Sequence, residues 1–309
     1  MLDEYEPAMA RPGEIAVGGW IMSLRGMLAL LRPKQWIKNA FVAAPLFFTP
    51  DLVTGESVLG VAAGMAVFCL AASAIYCLND LRDREADRNH PLKRNRPLAS
   101  GAVGAGTAIA VMLVLLALAG AGTALLVPRI ATVLGAYLAL NLAYSFGLKS
   151  IAIVDVLIVA FGFVLRIEAG GRLIGVDPSA WILIVTGLLA LFIALAKRRD
   201  DLARDLDSTH RRSLEGYTKA FLDASLMAVL AMLLVSYLIF TTDTAVMARL
   251  GTHRLYFTAP FVIAGVLRYL QLTLVYERSG SPTDLVYRDP GLQLSVAGWL
   301  ATFAFILYL

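Results

Sequence analysis

Long apolar segments alternate with short polar loops along almost the whole chain, from about residue 35 to the last residue. A helix needs about 20 apolar residues to cross the hydrocarbon core of a bilayer, and most of these segments approach that length. The pattern therefore predicts an all-α polytopic membrane bundle with nine transmembrane helices. The predicted helices lie at residues 35–50, 57–79, 103–127, 130–147, 151–172, 179–197, 219–242, 254–276 and 291–309.

The composition agrees with a membrane protein. Hydrophobic residues make up 59% of the chain and charged residues 16%, against about 45–50% and about 25% in soluble domains. Because the apolar segments continue to the end of the chain, residues 19–309 are predicted to form one integral-membrane domain. Within it, residues 19–31 are expected to lie on the membrane surface as an amphipathic helix. Residues 1–18 are polar and predict a flexible cytoplasmic tail rather than a signal peptide.

The basic residues are distributed unevenly between the two sides of the predicted bundle. Of the 27 Lys and Arg residues, 21 lie on the side of the N-terminus and 4 on the opposite side. Such asymmetry predicts that the N-terminus and the loops at 80–102 and 197–219 face the cytoplasm, in a plasma (inner) membrane. The pI near 9.1 follows from this topology and does not indicate a nucleic-acid partner.

The most informative polar stretch follows the second apolar segment and reads NDLRDREAD at residues 79–87. On a continuous helix Asp80, Asp83 and Asp87 would share one face, because they are spaced at i, i+3 and i+7. Carboxylates so close repel one another, and Mg²⁺ would relieve the repulsion, since it takes oxygen ligands and usually shares them with a substrate phosphate. The alternative is a solvated helix end whose acids pair with neighbouring arginines.

A second acidic cluster, KRRDDLARD at residues 197–205, follows the sixth apolar segment. Asp201 and Asp205 are spaced at i and i+4, so a helix presents them on one face. The clusters end the second and sixth segments on the same side of the membrane, which hints at a weak internal repeat. Two acidic clusters at one mouth of a membrane bundle predict a protein that holds a diphosphate through metal ions.

Several motifs together resemble the UbiA superfamily of intramembrane prenyltransferases, over about residues 32–309. They are NDxxDxxxD at 79–87, RPLASG at 96–101, YSFGLK at 144–149 and the second acidic cluster. The resemblance implies a UbiA-like helical fold that uses Mg²⁺, and it implies roles for individual residues. Catalytic carboxylates are expected at Asp80, Asp83 and Asp201, metal ligands at Asn79, Asp80, Asp83, Asp87, Asp201 and Asp205, and substrate contacts at Asn79, Tyr144 and Lys149.

Two basic segments resemble one branch of that superfamily, the enzymes that move phosphoribose onto a polyprenyl phosphate. They are LRPKQWIKN at residues 31–39 and AKRRD at 196–200. This branch would transfer 5-phosphoribose from phosphoribosyl diphosphate to polyprenyl (decaprenyl) phosphate and release diphosphate. The lipid product is implied to supply pentose for arabinan-containing cell walls. The alternative for the first segment is an interfacial anchor, with Trp36 at the headgroups and the cations facing anionic lipid.

The chemistry of that branch explains why cations are expected around the acids. Loss of diphosphate leaves positive charge on C1 of phosphoribose, and the attacking lipid phosphate is already a nucleophile. A strong general base is therefore unnecessary, whereas two polyanionic substrates need neutralising charge. The predicted phosphate-binding residues on the cytoplasmic side are Lys34, Lys38, Arg94, Arg96, Lys149, Lys197 and Arg198.

Charged residues inside the fifth predicted helix need partners, since a charge at the bilayer centre costs about 2.5–3.5 kcal/mol on insertion scales. Asp155 and Arg166 are about three helical turns apart and therefore share a face. One interpretation is a cavity wall in which Arg166 contacts phosphate or ribose. The other is a structural ion pair or a position near the interface, and the sequence does not decide between them.

Some residues that could bind metal or phosphate are expected to be structural instead. Cys69 and Cys77 lie in one apolar run and predict buried thiols without a disulfide or a metal. Gly162, Gly170 and Gly171 are expected to permit close approach of neighbouring helices rather than to bind phosphate.

Two other functions stay open on the sequence. The nearest is UbiA-type transfer of a prenyl group to an aromatic acceptor, which would need mainly an apolar slot for the second substrate. A cation-coupled transporter also fits the intramembrane charges and the weak repeat, although it would place its charges near mid-membrane. The expected partners are phosphoribosyl diphosphate, polyprenyl phosphate and the lipid bilayer, and association into a homo-oligomer stays open.

Overall fold

The computed structural model describes residues 24–89, 93–203, 212–277 and 281–309, and within these ranges the chain is helical without β-strands. The α-helices, in chain order, are α1 (Leu24–Leu31), α2 (Ala44–Phe47), α3 (Gly55–Arg82), α4 (Arg84–Asn89), α5 (Ala105–Leu126), α6 (Ala131–Phe146), α7 (Val154–Ile174), α8 (Ala180–Ala203), α9 (Lys219–Thr242), α10 (Thr244–Leu250), α11 (Ala259–Leu274), α12 (Pro282–Arg288) and α13 (Pro290–Tyr308). Stretches of 3₁₀ helix lie at Pro33–Ala43, Pro50–Leu52, Lys93–Asn95, Pro128–Ile130, Leu148–Ser150, Arg212–Gly216 and Leu255–Thr258. The all-α fold is thus confirmed for the described residues.

Among the described residues, six helical segments are long and apolar enough to cross a membrane, and each coincides with a predicted span. They are Gly55–Arg82, Ala105–Leu126, Ala180–Ala203, Lys219–Thr242, Leu255–Leu274 and Pro290–Tyr308. The predicted total of nine is not confirmed, because the other three spans do not form long and wholly apolar helices. The first divides between a 3₁₀ helix and the four-residue α2, α6 has only 16 residues, and α7 carries four charged residues.

The start of the chain is described only from residue 24 onward. The predicted tail at 1–18 and the first part of the predicted surface helix lie outside the described residues. The remainder of that helix forms α1, which packs on α3 and buries Leu30. α1 leads directly into the Pro33–Ala43 helix, which contacts both α3 and α7.

α7 contributes to the two largest apolar cores of the described residues. One core joins α3, α5 and α6 to α7 through side chains such as Phe68, Leu134 and Leu165. The other joins α7 to α8, α9 and α11 through side chains such as Phe192 and Leu226. Because lipid tails are as apolar as these side chains, close packing is what favours helix association inside a bilayer. α7 is therefore the central helix of the described bundle.

Small residues let other segments approach α7 at short range. A Cβ atom added to Gly170 would overlap the Val42 carbonyl oxygen, so a larger residue would push the two segments apart. A Cβ atom at Gly171 would lie 2.5 Å from the Val176 carbonyl oxygen. The predicted close approach of a neighbouring helix is confirmed at Gly170. The groups close to Gly171 belong to the loop that follows α7, and a Cβ atom at Gly162 would make only ordinary contacts, from 3.6 Å.

Both cysteines are free thiols, and the predicted burial is confirmed for Cys77 but wrong for Cys69. Cys77 is buried, whereas Cys69 is only half-buried and accepts a hydrogen bond from Asn39 Nδ2 at 3.1 Å. Cys69 therefore takes part in the polar contacts between the Pro33–Ala43 helix and α3.

Candidate active site

The first acidic cluster lies where α3 ends and α4 begins. The chain turns at Asp83, which has φ −91° and ψ 3°, so the expected continuous helix through Asp80, Asp83 and Asp87 is wrong. The turn has a clear effect, because a straight helix would separate Asp80 from Asp87 by about 10 Å along its axis. Instead, Arg96 Nη1 donates to Asp80 Oδ1 at 3.1 Å and to Asp87 Oδ2 at 2.6 Å. One guanidinium thus joins both ends of the cluster.

The RPLASG motif holds Arg96 in this position. Arg84 Nε donates to the Leu98 carbonyl oxygen at 3.3 Å, and Arg88 Nε donates to the Ala99 carbonyl oxygen at the same distance. The Leu98 side chain is fully buried in a small apolar cluster with α1, α3 and α5. Arginines on α4 and this buried leucine therefore anchor the loop that carries Arg96.

Arg32 also binds the first acidic cluster, although it is not among the cations predicted from the sequence. Its guanidinium donates to Asp80 Oδ1 and lies over the Tyr76 ring, with its central carbon 5.1 Å from the ring centroid. Its backbone is left-handed, with φ 51° and ψ 58°, directly before Pro33. A residue before proline usually adopts an extended backbone, so no local sequence pattern predicts this conformation of Arg32.

The YSFGLK motif contacts the first cluster from the end of α6. Ser145 Oγ donates to Asn79 Oδ1 at 2.6 Å, and Lys149 Nζ forms an ion pair with Asp83. Asn79 is held by this bond at the end of α3, so its amide group is oriented beside the carboxylates. The motif thus supplies both a positioning hydroxyl and a cation.

The second acidic cluster is held from inside the bundle. Arg198 Nη1 donates to Asp201 Oδ2 at 3.0 Å, and Arg198 Nε donates to Asp155 Oδ2 at 2.7 Å. Asp155 also accepts from Ser213 Oγ at 3.1 Å and from Tyr217 Oη at 2.7 Å. Arg198 is 3% exposed and Asp155 fully buried, so the structure places the predicted phosphate ligand Arg198 in two ion pairs. Asp205 lies outside the described residues.

The last turn of α6 connects the two clusters. Tyr144 is close enough to Arg198 to interact with it electrostatically, while its neighbour Ser145 bonds to Asn79. The 3₁₀ turn that follows α6 carries Lys149 to Asp83 and contacts the Arg212–Gly216 helix. The two clusters therefore lie on either side of one short segment.

The remaining predicted cations differ in their exposure. Lys34 and Arg94 are exposed, whereas Lys38 and Lys197 are half-buried. Lys38 is near enough to Arg32 and Arg166 for electrostatic interaction. Lys38 thus extends the positive charge from the first acidic cluster toward the bundle interior.

Arg166 lies deeper, in a buried polar contact between helices. It is 5% exposed. Its Nε donates to Asn39 Oδ1 at 2.8 Å, its Nη1 to the Gly162 carbonyl oxygen at 2.8 Å, and its Nη2 to Tyr137 Oη at 3.2 Å. Arg166 and Asp155 share no partner among the described residues, although both lie on α7. Arg166 contacts Asn39, Tyr137 and the Gly162 carbonyl of its own helix, whereas Asp155 contacts Arg198, Ser213 and Tyr217. These contacts favour the structural interpretation of Arg166.

The oxygen donors of the first cluster suit Mg²⁺, which prefers hard oxygen ligands. Asp80 Oδ2 is buried and has no hydrogen-bond partner among the described residues, so it is an acceptor that a cation could satisfy. In the part of the chain that the structure describes, no three His, Cys, Asp or Glu side chains already surround one metal position. Arg32, Arg96 and Lys149 neutralise the carboxylates in this arrangement.

Comparison with known proteins gives matches over most of the chain. The model of the UbiA prenyltransferase family matches residues 36–307. The decaprenyl-phosphate phosphoribosyltransferase of Corynebacterium glutamicum is 36% identical over 292 residues, which cover 92% of this chain and 87% of that protein. The protein of the same name from Mycobacterium tuberculosis is 38% identical over 285 residues, which cover 90% of this chain and 92% of that protein.

A solved structure shares the fold. A UbiA homolog from Archaeoglobus fulgidus bound to GPP and Mg²⁺ aligns with a TM-score of 0.69 at 18% identity, over 92% of this chain and 100% of that one. The predicted UbiA-like architecture is confirmed by this match.

Proposed function

We propose that this chain, which belongs to the UbiA prenyltransferase family, transfers 5-phosphoribose from phosphoribosyl diphosphate to a polyprenyl phosphate such as decaprenyl phosphate. Diphosphate is released, and the lipid product serves cell-wall arabinan synthesis. The observation that carries this proposal is the convergence of Arg32, Arg96 and Lys149 on one acidic cluster. The 36–38% identity to two decaprenyl-phosphate phosphoribosyltransferases supports it.

The proposed reaction is a displacement at C1 of phosphoribose. An oxygen of the polyprenyl phosphate forms a bond to C1 while the C1–O bond to diphosphate breaks, and the electron pair of that bond leaves with diphosphate. Positive charge builds on C1 and the ring oxygen in the transition state. The acceptor phosphate is anionic at neutral pH, so no side chain has to remove a proton. The protein supplies orientation and electrostatic stabilisation.

Arg32, Arg96 and Lys149 are placed to exchange a carboxylate partner for a substrate phosphate. Their side chains are 24–28% exposed, so each can turn toward the mouth without burying an unpaired charge. A guanidinium binds phosphate through paired N–H donors, whereas an ammonium acts as a point charge. In the proposal the remaining exposed or half-buried cations extend this surface to the 5-phosphate and the lipid phosphate: Lys34, Lys38, Arg94 and Lys197.

Mg²⁺, when bound, neutralises the diphosphate and stabilises it as a leaving group. The residues proposed to hold it are Asn79, Asp80, Asp83 and Asp87 in the first cluster and Asp201 and Asp205 in the second. The Archaeoglobus fulgidus homolog, which shares this fold, is bound to GPP and Mg²⁺, and that supports metal-assisted binding of a diphosphate here. Asp80, Asp83 and Asp201 are proposed as the carboxylates most important for turnover.

The active site is proposed to open to the cytoplasm from the plasma membrane. The excess of Lys and Arg on the side of both acidic clusters supports this orientation. In the proposal, the segment at 33–47, α6 and α7 complete nine membrane crossings. Their polar groups meet protein rather than lipid, as the burial of Asp155 and Arg166 illustrates.

The proposal is tested with purified protein, Mg²⁺, phosphoribosyl diphosphate labelled in the ribose, and decaprenyl phosphate. We expect label to move into the lipid fraction with release of one diphosphate per product, and EDTA to abolish the transfer. No labelled lipid, together with prenylation of 4-hydroxybenzoate from a polyprenyl diphosphate, would contradict the assigned substrates. Absence of both reactions, with Mg²⁺ flux across vesicles, would instead favour a transporter.

A further inference from the structure

A buried polar group connects the start of α7 to the second acidic cluster. Asp155 accepts hydrogen bonds from Arg198, Ser213 and Tyr217, at 2.7, 3.1 and 2.7 Å. The Tyr217 side chain belongs to the apolar core formed by α7, α8, α9 and α11. Burial and its bond to Asp155 raise the pKa of Tyr217 well above its usual value, so the hydroxyl stays a donor. The carboxylate is therefore held on several sides.

The backbone directly before α7 is strained, and Tyr217 also holds it. Ile153 has φ 70° and ψ −49°, a conformation that is an outlier for a β-branched residue. Its N–H donates to Tyr217 Oη at 2.6 Å, and the same hydroxyl donates to Asp155 Oδ1. Strained backbone persists where the surrounding structure over-determines it, commonly at functional sites. The strain and the buried carboxylate thus depend on one hydroxyl group.

The two edges of the Arg198 guanidinium face different acids. Nε donates to Asp155 inside the bundle, and Nη1 donates to Asp201 near the mouth. Because the guanidinium is planar and rigid, fixing one edge sets the direction of the other. Arg198 is 3% exposed, whereas Asp201 is 17% exposed. The bond from Nε to Asp155 therefore determines the orientation of the Asp201 carboxylate at the surface of the bundle.

We propose that Asp155 is a positioning residue: with Ser213 and Tyr217 it fixes Arg198, which orients Asp201 for the metal-bound diphosphate. This inference rests on the proposed function and assigns Arg198 to Asp201 rather than to a substrate phosphate. The Arg212–Gly216 helix, which precedes α9, then also affects the geometry of the site, because Ser213 donates to Asp155. Groups that orient metal ligands typically change metal affinity or activity by about 10–100-fold when removed.

The next residue of α8 provides a matched control. Arg199 is also buried, and its Nε donates to Asp223 Oδ1 at 2.7 Å, the same distance as in the Arg198–Asp155 pair. Its Nη1 donates to the Thr273 carbonyl oxygen at 2.9 Å, on α11. The Arg199–Asp223 pair thus joins α8 to α9 and α11 instead of to Asp201. Because Asp223 is 38% exposed and Asp155 is fully buried, the two losses can differ in their effect on stability, and the comparison therefore uses Mn²⁺ affinity. A purely structural role for both pairs would leave the Mn²⁺ affinity of the folded variants alike.

The test compares Asp155→Asn with Asp223→Asn in purified, full-length protein. Mn²⁺ is titrated in the presence of inorganic diphosphate, and free Mn²⁺ is followed by electron paramagnetic resonance. We expect Asp155→Asn to weaken Mn²⁺ binding about 10–100-fold and kcat by a similar factor, with KM for polyprenyl phosphate changed by less than about threefold. Asp223→Asn should change Mn²⁺ affinity by less than about twofold, since it leaves Asp201 in place.

A more conservative substitution, Tyr217→Phe, tests the inference even if Asp155→Asn does not fold. Tyr217→Phe removes one hydroxyl and keeps the ring in its core, so it should weaken Mn²⁺ binding about 3–10-fold, a smaller change than loss of the carboxylate. Unchanged Mn²⁺ affinity in folded Tyr217→Phe, or an equal loss in Asp223→Asn, would overturn the inference. A wild-type protein that binds Mn²⁺ and diphosphate but forms no phosphoribosyl lipid would overturn the proposed function alone.

Discussion

The two acidic clusters differ in the origin and burial of the cations that neutralise them. Cations from three separate segments serve the first cluster, and their side chains are 24–28% exposed. Arg198 serves the second cluster, is 3% exposed, and is itself held by the fully buried Asp155. Half-buried cations can turn from a carboxylate toward a substrate anion, provided that a bound metal ion replaces them at the buried Asp80 and Asp87. A fully buried ion pair that loses one member is strongly destabilised. In the proposed function, the first cluster is therefore expected to exchange ligands and the second to keep its geometry.

This difference assigns separate tasks to the clusters in the proposed reaction. Arg32, Arg96 and Lys149 would leave the carboxylates and contact phosphate when metal and substrate enter. Asp201 would keep its hydrogen bond to Arg198, and its carboxylate would therefore hold the metal-bound diphosphate in a fixed position. Preorganised charge of this kind stabilises a transition state without rearrangement during the reaction. The variants below test whether the first cluster exchanges partners and the second does not.

Loss of a carboxylate from the first cluster should have the largest effect. Asp83→Asn keeps the shape of a side chain that is 35% exposed, so folding should be preserved. It removes a proposed metal ligand, and we expect kcat to fall at least about 10³-fold, as for loss of a central electrostatic group. Steady-state kinetics and a thermal melt check this, and a near-normal kcat would show that the cluster is only a solvated helix end.

Arg32→Gln should have the next largest effect and tests the partner exchange directly. The variant removes a phosphate-binding group, so kcat/KM for phosphoribosyl diphosphate should fall about 100-fold, the range expected for a charge-assisted contact. Exposed Arg129, on the opposite side of the bundle, gives a matched control through Arg129→Gln. Equal kinetics for the two variants would mean that Arg32 has no role beyond its ion pair with Asp80.

Lys149→Met should have a smaller effect, because an ammonium is a single point charge. We expect KM for one of the two substrates to rise about tenfold, with a melting temperature close to that of the wild type. Kinetics with each substrate varied in turn identify which phosphate it contacts. Unchanged KM and kcat for both would remove Lys149 from the site.

Asp289→Ala should affect stability without affecting turnover, because it lies in neither cluster. Asp289 caps α13 by accepting from the Leu292 N–H at 2.9 Å, and it accepts from Arg268 Nη2 at 2.8 Å. Loss of such a cap costs about 0.5–2 kcal/mol. The hydrogen bond from Arg268 lowers the pKa of Asp289, so this contribution is complete at neutral pH. It should diminish as pH falls below about 4, where the unfolded carboxyl protonates.

Melting curves of wild type and Asp289→Ala at several pH values check that contribution. The difference between the two proteins should be largest near pH 7 and should shrink in acid. A variant that loses turnover while its stability is unchanged would mean that the Arg268–Asp289 pair serves the active site after all.

The sequence predicts much of this arrangement because short motifs keep their members close. NDLRDREAD, RPLASG and YSFGLK each bring their residues to the mouth, and hydrophobic runs locate the six long spans. Contacts over long separations are not predictable in this way. Arg32 reaches Asp80 across 48 positions, and Tyr217 reaches Asp155 across 62. Neither contact leaves a spacing pattern along the chain.

Two residue pairs or clusters on α7 and α3 show the limits of helix periodicity as a predictor. It correctly places Asp155 and Arg166 on the same helix but cannot show that their partners come from other elements, Arg198 and Asn39. It predicts one continuous helix through the first cluster, whereas the chain turns at Asp83. In both cases tertiary hydrogen bonds and ion pairs decide the outcome, and local periodicity carries no information about them.

The central claim is that both clusters hold one diphosphate, and a double-mutant cycle tests it most directly. Mn²⁺ binding in the presence of inorganic diphosphate would be measured for wild type, Asp83→Asn, Asp201→Asn and the double variant. If the clusters act as a unit, the double variant should bind Mn²⁺ about as weakly as the weaker single variant, because either change already disrupts the shared site. Losses that multiply independently would contradict the claim and would mean two separate sites.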